Sequence, residues 1–169
     1  MAGSGSNPNP GKDQCSASPS RSEGQPVERR HILIVEDNPA DVFLIRAAIQ
    51  AADIEAELHV VKDGEQAVRF FDHADRDDAA PCPVLVILDI NLPRKHGGEV
   101  LQHIRKSRRG GHGLVIAIST SSSARDREDM TKLGANGYFH KPSGYGEFMK
   151  LGDMVKELLT QYPGRQGRS

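Results

Sequence analysis

The sequence predicts an α/β domain in which helices cover both faces of a five-stranded parallel sheet. Continuous apolar runs, mostly of β-branched residues, are typical of strands buried on both faces, and they occupy residues 32–35, 84–88 and 114–118. Residues 58–61 and 138–140 form shorter, mixed runs that predict strands at or near a sheet edge. The sequence therefore contains five candidate strands.

Apolar residues at helical spacing follow each predicted strand. They are Val42, Ile45 and Ile49; Ala67, Val68 and Phe71; Val100, Leu101 and Ile104; Met130 and Leu133; and Phe148, Leu151, Val155, Leu158 and Leu159. Asn38 before Pro39 predicts one helix start, and Ser123 begins a segment that resembles a capping box. Regular alternation of strands and helices predicts right-handed crossovers and a doubly wound sheet.

Composition sets the limits of the folded domain. Residues 1–28 are rich in Gly, Ser, Pro and Asn and predict a disordered tail, residues 30–162 form the domain, and residues 163–169 predict a flexible end. Residues 72–81 carry four aspartates without an apolar period, which favours a solvated acidic loop. The start of the chain develops no apolar segment, so we expect no secretory signal, no membrane span and a cytoplasmic protein.

Overall charge excludes strongly basic binding proteins. Lys and Arg total 22 against 23 for Asp and Glu, a net charge of −1, which does not favour binding to nucleic acid or to anionic membranes. Cys15 and Cys82 have no spacing typical of a metal site and are interpreted as structural thiols. Function is therefore expected from local sites.

Polar residues end the predicted strands, where parallel α/β sheets bind their ligands. Glu36 and Asp37 end the first strand, Asp89 the third, Ser119 the fourth and Lys141 the fifth. An acidic residue after the first strand could simply cap a helix, and a lone lysine is usually a surface residue. Asp89, however, leaves a buried strand. Two carboxylates about 5 Å apart repel by roughly 3 kcal/mol, so the cluster indicates a cation, and its oxygen ligands suit Mg²⁺ or Mn²⁺.

The order and spacing of these motifs resemble the receiver domain of bacterial response regulators. Ser119 lies 30 residues after Asp89, and Lys141 lies 22 residues after Ser119, as is usual in that family. The matching motifs are Glu36-Asp37, Asp89-Ile90-Asn91-Leu92-Pro93 with Gly97, Ser119 and Lys141-Pro142. Residues 35–41 and 92–95 are most similar to single-domain regulators paired with bacterial phytochromes. The resemblance covers residues 31–162 and implies a flavodoxin-like sheet of order 2-1-3-4-5 with five helices.

The resemblance also implies roles for the residues at the strand ends. Asp89 is the implied phospho-acceptor, and Mg²⁺ is implied to bind Glu36, Asp37, Asp89 and the backbone carbonyl of Asn91, directly or through water. Lys141 and Ser119 are implied to contact the phosphoryl group, and Tyr138 to turn inward afterwards. Ser119 stands where Thr is frequent in the family. His96 replaces a small or acidic residue, and we interpret it as a solvent-facing loop residue.

The resemblance implies that this chain is a signalling protein and not an enzyme that acts on an external substrate. It implies catalysis only of its own phosphorylation and dephosphorylation, a sensor histidine kinase as partner, and a possible homodimer through the last two helices and the fifth strand. We expect it to signal without a fused output domain. Three alternatives are a flavin-binding protein, a receiver that only binds partners, and a metal-dependent phosphatase. The acidic loop after the first strand disfavours the first, the intact acceptor motif the second, and Asn91 in place of a second aspartate the third.

Overall fold

The computed structural model describes residues 30–93 and 95–161. The predicted tails, residues 1–28 and 163–169, and Cys15 lie outside these residues. Cys82 lies within them, is half-buried and forms no disulfide with another described residue.

Five parallel strands form one sheet in the order β2-β1-β3-β4-β5, as predicted. Their bounds are β1 His31–Val35, β2 Glu57–Val61, β3 Leu85–Asp89, β4 Leu114–Ser119 and β5 Gly137–His140. The three predicted apolar runs are the three inner strands, because each of these strands has a hydrogen-bonded neighbour on both sides. Asp89 and Ser119 are the last residues of their strands.

Helices follow the strands in the predicted alternation. They are α1 Pro39–Ala51, α2 Gly64–Arg76, α3 Gly97–Lys106, α4 Ala124–Lys132, α5 Tyr145–Phe148 and α6 Lys150–Gln161. The predicted fifth helix is thus interrupted at Met149 into a short turn and a longer helix. Asn38 caps α1, since its side chain accepts a hydrogen bond from Ala40 N, and Ser123 caps α4 through Arg125 N.

Two apolar clusters lie on opposite faces of the sheet. One packs β-strand residues such as Ile34 and Ile116 against α1 and α6, with Phe148 fully buried. The other packs Leu33 and Leu88 against α2, α3 and α4. Alternate residues of each inner strand pack into opposite clusters. Both faces of these strands are therefore buried, which explains why their sequences are continuously apolar.

The prediction of a solvated acidic loop at residues 72–81 is wrong in its first half. Helix α2 continues to Arg76, because its apolar face extends through Phe71 to the buried Ala74. Asp75, on that last turn, accepts hydrogen bonds from Ser107 and Arg109 rather than facing only solvent. Within residues 30–93 and 95–161, no helix has the length and hydropathy required to cross a bilayer.

Candidate functional site

The carboxyl ends of the central strands bring three polar side chains into the interior of the protein. Asp89 ends β3 with 5% of its surface exposed, and Ser119 ends β4 with none exposed. Glu36 directly follows β1 and is 1% exposed. Parallel strands place their carboxyl ends at one edge of the sheet, so these residues lie at a common rim.

Lys141 crosses this rim from the end of β5. Its Nζ donates hydrogen bonds to Glu36 Oε2 at 2.6 Å, to Asp41 Oδ2 at 2.8 Å and to Asp89 Oδ2 at 3.3 Å. The Lys141 side chain is only 8% exposed. Lys141 thus forms ion pairs with three carboxylates, and its ammonium is a point charge placed among them.

Burial and the neighbouring charged groups shift the pKa values of Glu36 and Lys141. Burial, together with a hydrogen bond to Asp89 and its charge, raises the pKa of Glu36 to about 8, although Lys141 acts in the opposite direction. Burial alone would lower the pKa of Lys141, but hydrogen bonds to Asp41 and Glu36 outweigh it and raise that pKa above its usual value. Glu36 thus tends to keep a proton at neutral pH unless further positive charge arrives.

Carboxylate oxygens at this rim fit a hard divalent cation. One ligand atom each of Glu36, Asp37 and Asp89 lies within 4.8 Å of the others. Asp37 is exposed, whereas the other two are buried, so the group opens to solvent on one side. An oxygen-only set with room for water suits Mg²⁺ or Mn²⁺ better than zinc. The raised pKa of Glu36 is consistent with a place that takes up positive charge.

Asn91 contacts the Asp89 carboxylate oxygen that Lys141 does not contact, and it links this carboxylate to Ser119. The Asn91 backbone N–H donates to Asp89 Oδ1 at 2.9 Å, and its side-chain amide donates to Ser119 Oγ at 3.4 Å. Ser119 Oγ also accepts a hydrogen bond from Ser121 N at 2.9 Å. Asn91 thereby bridges Asp89 and Ser119, which end the neighbouring strands β3 and β4. The proposed ligand role of the Asn91 carbonyl remains a prediction.

Tyr138 on β5 is half-buried and linked to the loop after β4. Its hydroxyl donates to the Ser121 carbonyl at 3.1 Å, and its ring packs against the cluster containing Leu33. The Arg127 guanidinium lies 5.1 Å from the ring centroid. Tyr138 therefore connects Ser121, which bonds to Ser119, with helix α4.

Asp41 is a site residue that the sequence reasoning missed. It lies in the first turn of α1, where an acidic residue is readily explained by the helix dipole. The signal that could have found it is its position three residues after the Asn38 cap. Side chains there point back toward the helix start, which faces the end of β1.

His96 also has a defined structural place. It is exposed, as predicted, and its Nδ1 accepts a hydrogen bond from Gly98 N at 3.0 Å, so it caps α3. The imidazole thus replaces the usual Ser, Thr, Asp or Asn at a helix start.

Known proteins share this fold. Residues 32–152 match the model of the response regulator receiver domain. The response regulator Rcp1 of a Synechocystis strain is 32% identical over 120 residues, covering 71% of this chain and 82% of Rcp1.

Solved structures agree with the sequence match. The phosphorylated cyanobacterial phytochrome response regulator RcpA superposes with a TM-score of 0.70 at 29% identity, over 80% of this chain and 97% of RcpA. The Mn²⁺-bound form of Rcp1 gives a TM-score of 0.68 at 29% identity, over 77% of this chain and 94% of that structure. With the sheet order and the rim residues in place, these matches show that the chain belongs to the response regulator receiver family.

Proposed function

We propose that this protein is the phospho-acceptor of a two-component phosphorelay and takes a phosphoryl group on Asp89. The observation that carries the proposal is the buried Asp89 carboxylate with the Lys141 ammonium 3.3 Å from its Oδ2 and Glu36 beside it. Phosphorylation of the similar RcpA supports the same chemistry. The protein acts on itself and has no separate substrate to turn over.

Asp89 is the nucleophile in this reaction. One of its carboxylate oxygens forms a bond to phosphorus while the bond from phosphorus to a kinase histidine, or to the acyl oxygen of a small donor, breaks. Glu36, Asp37, Asp89 and the Asn91 carbonyl would hold a Mg²⁺ or Mn²⁺ ion, which would supply positive charge toward the transferred oxygens. Lys141 adds its own charge there without any change in protonation.

Ser119 and Tyr138 convert phosphorylation into a change of surface. Ser119 Oγ accepts a hydrogen bond from the side-chain amide of Asn91, the residue that also contacts Asp89. Ser119 can give up this hydrogen bond and donate one to a phosphoryl oxygen instead. The Ser121 N–H donates a hydrogen bond to Ser119 Oγ, and the Ser121 carbonyl accepts one from the Tyr138 hydroxyl. A movement of Ser119 would therefore also displace the Tyr138 ring on β5. The reorientation of Tyr138 is the predicted switch.

The partner we propose is a sensor histidine kinase of the phytochrome-like type. The support is the likeness to a cyanobacterial phytochrome response regulator at 29% identity over 80% of this chain. A cytoplasmic site of action fits a kinase partner of that kind.

Intact mass after incubation with acetyl phosphate and Mg²⁺ tests the acceptor. We expect one added phosphoryl group in the native chain and none in Asp89→Asn. The matched control is Asp72→Asn, a half-buried aspartate that pairs with His103 far from the rim, and it should label normally. Equal labelling of Asp89→Asn would place the acceptor elsewhere and remove the proposal.

Metal titration tests the ligand set. Mg²⁺ should bind weakly, and Asp37→Asn should weaken it by about tenfold, because a carboxylate ligand becomes neutral. Asp41→Asn is the control, because Asp41 contacts Lys141 but does not belong to the group of Glu36, Asp37 and Asp89 that would bind the metal. It should weaken Mg²⁺ binding less than Asp37→Asn does. Undiminished affinity in Asp37→Asn would exclude Asp37 as a ligand.

Phosphorylation is further proposed to favour a homodimer through α4, β5 and the last helices. Tyr138 lies on β5 and contacts Arg127 of α4, so the switch residue borders this face. A phosphoryl group can bias assembly only by a few kcal/mol, through contacts that differ between the two states. Sedimentation with and without a beryllofluoride mimic should show a higher mass with the mimic. An unchanged mass at tens of micromolar would exclude phosphorylation-driven dimers.

A further inference from the structure

A second group of metal-ligating side chains lies at the amino end of the sheet, away from the rim. His31 opens β1 and stands opposite Glu57, the first residue of β2, in the parallel register. His59 follows two residues later on β2 and therefore points to the same face as Glu57. Two imidazoles and one carboxylate are thus brought together by strand pairing alone.

Distances within this group fit a small divalent ion. His31 Nδ1 lies 3.0 Å from His59 Nε2 and 3.8 Å from Glu57 Oε1. The three ligand atoms all lie within 4.8 Å of one another. Ligands of a tetrahedral ion with bonds of about 2.0–2.1 Å are separated by ~3.3 Å, so small side-chain rotations would complete the geometry.

The group is both supported and accessible. The Phe70 ring packs on His59 with centroids 5.3 Å apart, which limits rotation of that imidazole. The side chains of His31 and Glu57 are 23% and 50% exposed, so an ion can reach them from solvent. The edge position of β2 leaves this side of the sheet open.

The chemistry of the two imidazoles also suits metal binding. At 3.0 Å the facing nitrogens share one proton at most, because two N–H groups would repel. Burial, and then the proximity of His31, lower the pKa of His59, which favours the neutral form that binds metals. In the absence of metal, the pair is a simple hydrogen bond.

We propose that His31, Glu57 and His59 form a zinc site, with water completing the coordination. Imidazole nitrogens select a borderline ion such as Zn²⁺, whereas the oxygen-only rim selects Mg²⁺. Three protein ligands leave a position open, and the ion would link the start of β1 to the edge strand β2.

Calorimetric titration of the untagged full chain with Zn²⁺, in excess Mg²⁺, tests the site. One equivalent should bind, and His31→Gln or His59→Gln should each weaken that binding at least about tenfold. His103→Gln is the matched control, since His103 contacts Asp72 at 2.8 Å but the described residues offer that pair no third ligand. It should bind zinc like the native chain.

In the zinc titration itself, three results would overturn the proposal. They are absence of binding, unchanged affinity in both histidine variants, and loss of zinc binding in an Asp37→Asn/Asp89→Asn chain, which would assign the ion to the rim. With Co²⁺ in place of zinc, a thiolate charge-transfer band would also contradict it by showing a cysteine ligand. If circular dichroism shows that the histidine variants misfold, Glu57→Gln at its half-exposed position replaces them. It should also weaken zinc binding, and unchanged affinity would reject the site.

Discussion

Charged side chains cluster at both ends of the sheet, but their surroundings differ. At the carboxyl end, Glu36 and Asp89 are buried close together, and Lys141 contacts both of them. At the amino end, Asp75 and Arg109 each meet hydrogen-bonding groups of complementary character. The carboxyl-end group retains repulsion that a cation can relieve, whereas Asp75 and Arg109 are already hydrogen-bonded to groups of complementary character.

At the amino end, Asp75, Arg105 and Arg109 hold the loop between α3 and β4 in place. Asp75 accepts hydrogen bonds from Ser107 Oγ at 2.8 Å and from the backbone N–H groups of Arg108 and Arg109 at 3.1 and 2.9 Å. Arg105 donates to the carbonyls of this loop and of the turn after α4, at Gly111, Gly113 and Gly134. Charges of this kind stabilise a fold because removing one leaves hydrogen-bonding partners, most of them partly buried, unsatisfied. Charges at the carboxyl end are instead available for a ligand.

The largest effect is expected from Arg109→Leu at the amino end. Arg109 Nη1 donates to three carbonyls, those of Ala74, Asp77 and Ala80, at 2.8, 3.0 and 2.9 Å. Loss of these bonds should lower the free energy of unfolding by about 3 kcal/mol, measured in urea, while the folded variant still labels at Asp89.

Arg69→Leu is the control for this loss, because Arg69 is exposed and contacts only Glu65 among the described ion pairs, at 3.7 Å. Its free energy of unfolding should stay within about 0.5 kcal/mol of the native value. Two results would contradict the proposed difference between the ends of the sheet. One is a similar decrease in the free energy of unfolding in both variants, and the other is loss of labelling at Asp89 in folded Arg109→Leu.

Replacing Asp by Asn should change the free energy of unfolding in opposite directions at the two ends of the sheet. Asp75→Asn removes charge from three hydrogen bonds and should lower the free energy of unfolding by about 2 kcal/mol. Asp89→Asn removes one of two neighbouring buried carboxylates and should raise it by about 1 kcal/mol in metal-free buffer. Urea unfolding of both variants measures the pair. A loss of stability in Asp89→Asn would show that its contact with Lys141 outweighs its repulsion from Glu36.

These two ends also differ in how far the sequence predicted them. The rim was predictable because each polar residue ends an apolar strand, and parallel strands end at a common edge. Glu36, Asp89, Ser119 and Lys141 meet there in the structure. Asp41 was missed because its helix position already had a sufficient local explanation.

The amino-end contacts could not be read from local patterns. Asp75 and Arg109 are separated by 34 residues, and their contact depends on how α2 and the loop after α3 pack. The aspartates of residues 72–81 suggested a solvated loop because their partners come from distant chain segments. The pairing of His31 with His59 was likewise hidden, since it requires the register of β1 against β2.

Rising pH should destabilise the metal-free protein through Glu36. Its pKa is about 8 in the fold against 4.5 as its ordinary value, so between these values the folded state holds one more proton. The free energy of unfolding should therefore fall as pH rises through that window, by about 1 kcal/mol from pH 6 to pH 7. Urea unfolding in EDTA at several pH values measures this slope, and Glu36→Gln should flatten it.

Asp75 provides the contrast for this titration. Burial alone would raise its pKa, but hydrogen bonds from Arg109, Ser107 and Arg108 outweigh burial and hold the pKa below its ordinary value of 3.8. Its contribution to stability is complete above that value and is lost only as pH falls through the lower folded pKa. Asp75→Asn should thus keep the native slope between pH 6 and pH 7. A flat slope in the native chain would mean that Glu36 is ionised in the fold.

The smallest effect is expected from Arg127→Ala, which tests the path from the rim to the surface. The Arg127 guanidinium lies over the Tyr138 ring at 5.1 Å, and an exposed cation–π contact contributes only about 0.5 kcal/mol. Loss of that contact should barely change stability, but it should free the ring and alter the Tyr138 ring signals in NMR spectra. Arg125→Ala, at an exposed position of the same helix, should leave those signals unchanged. If both variants gave native Tyr138 signals, Arg127 would not hold the ring, and the hydrogen bond to Ser121 would suffice to fix it.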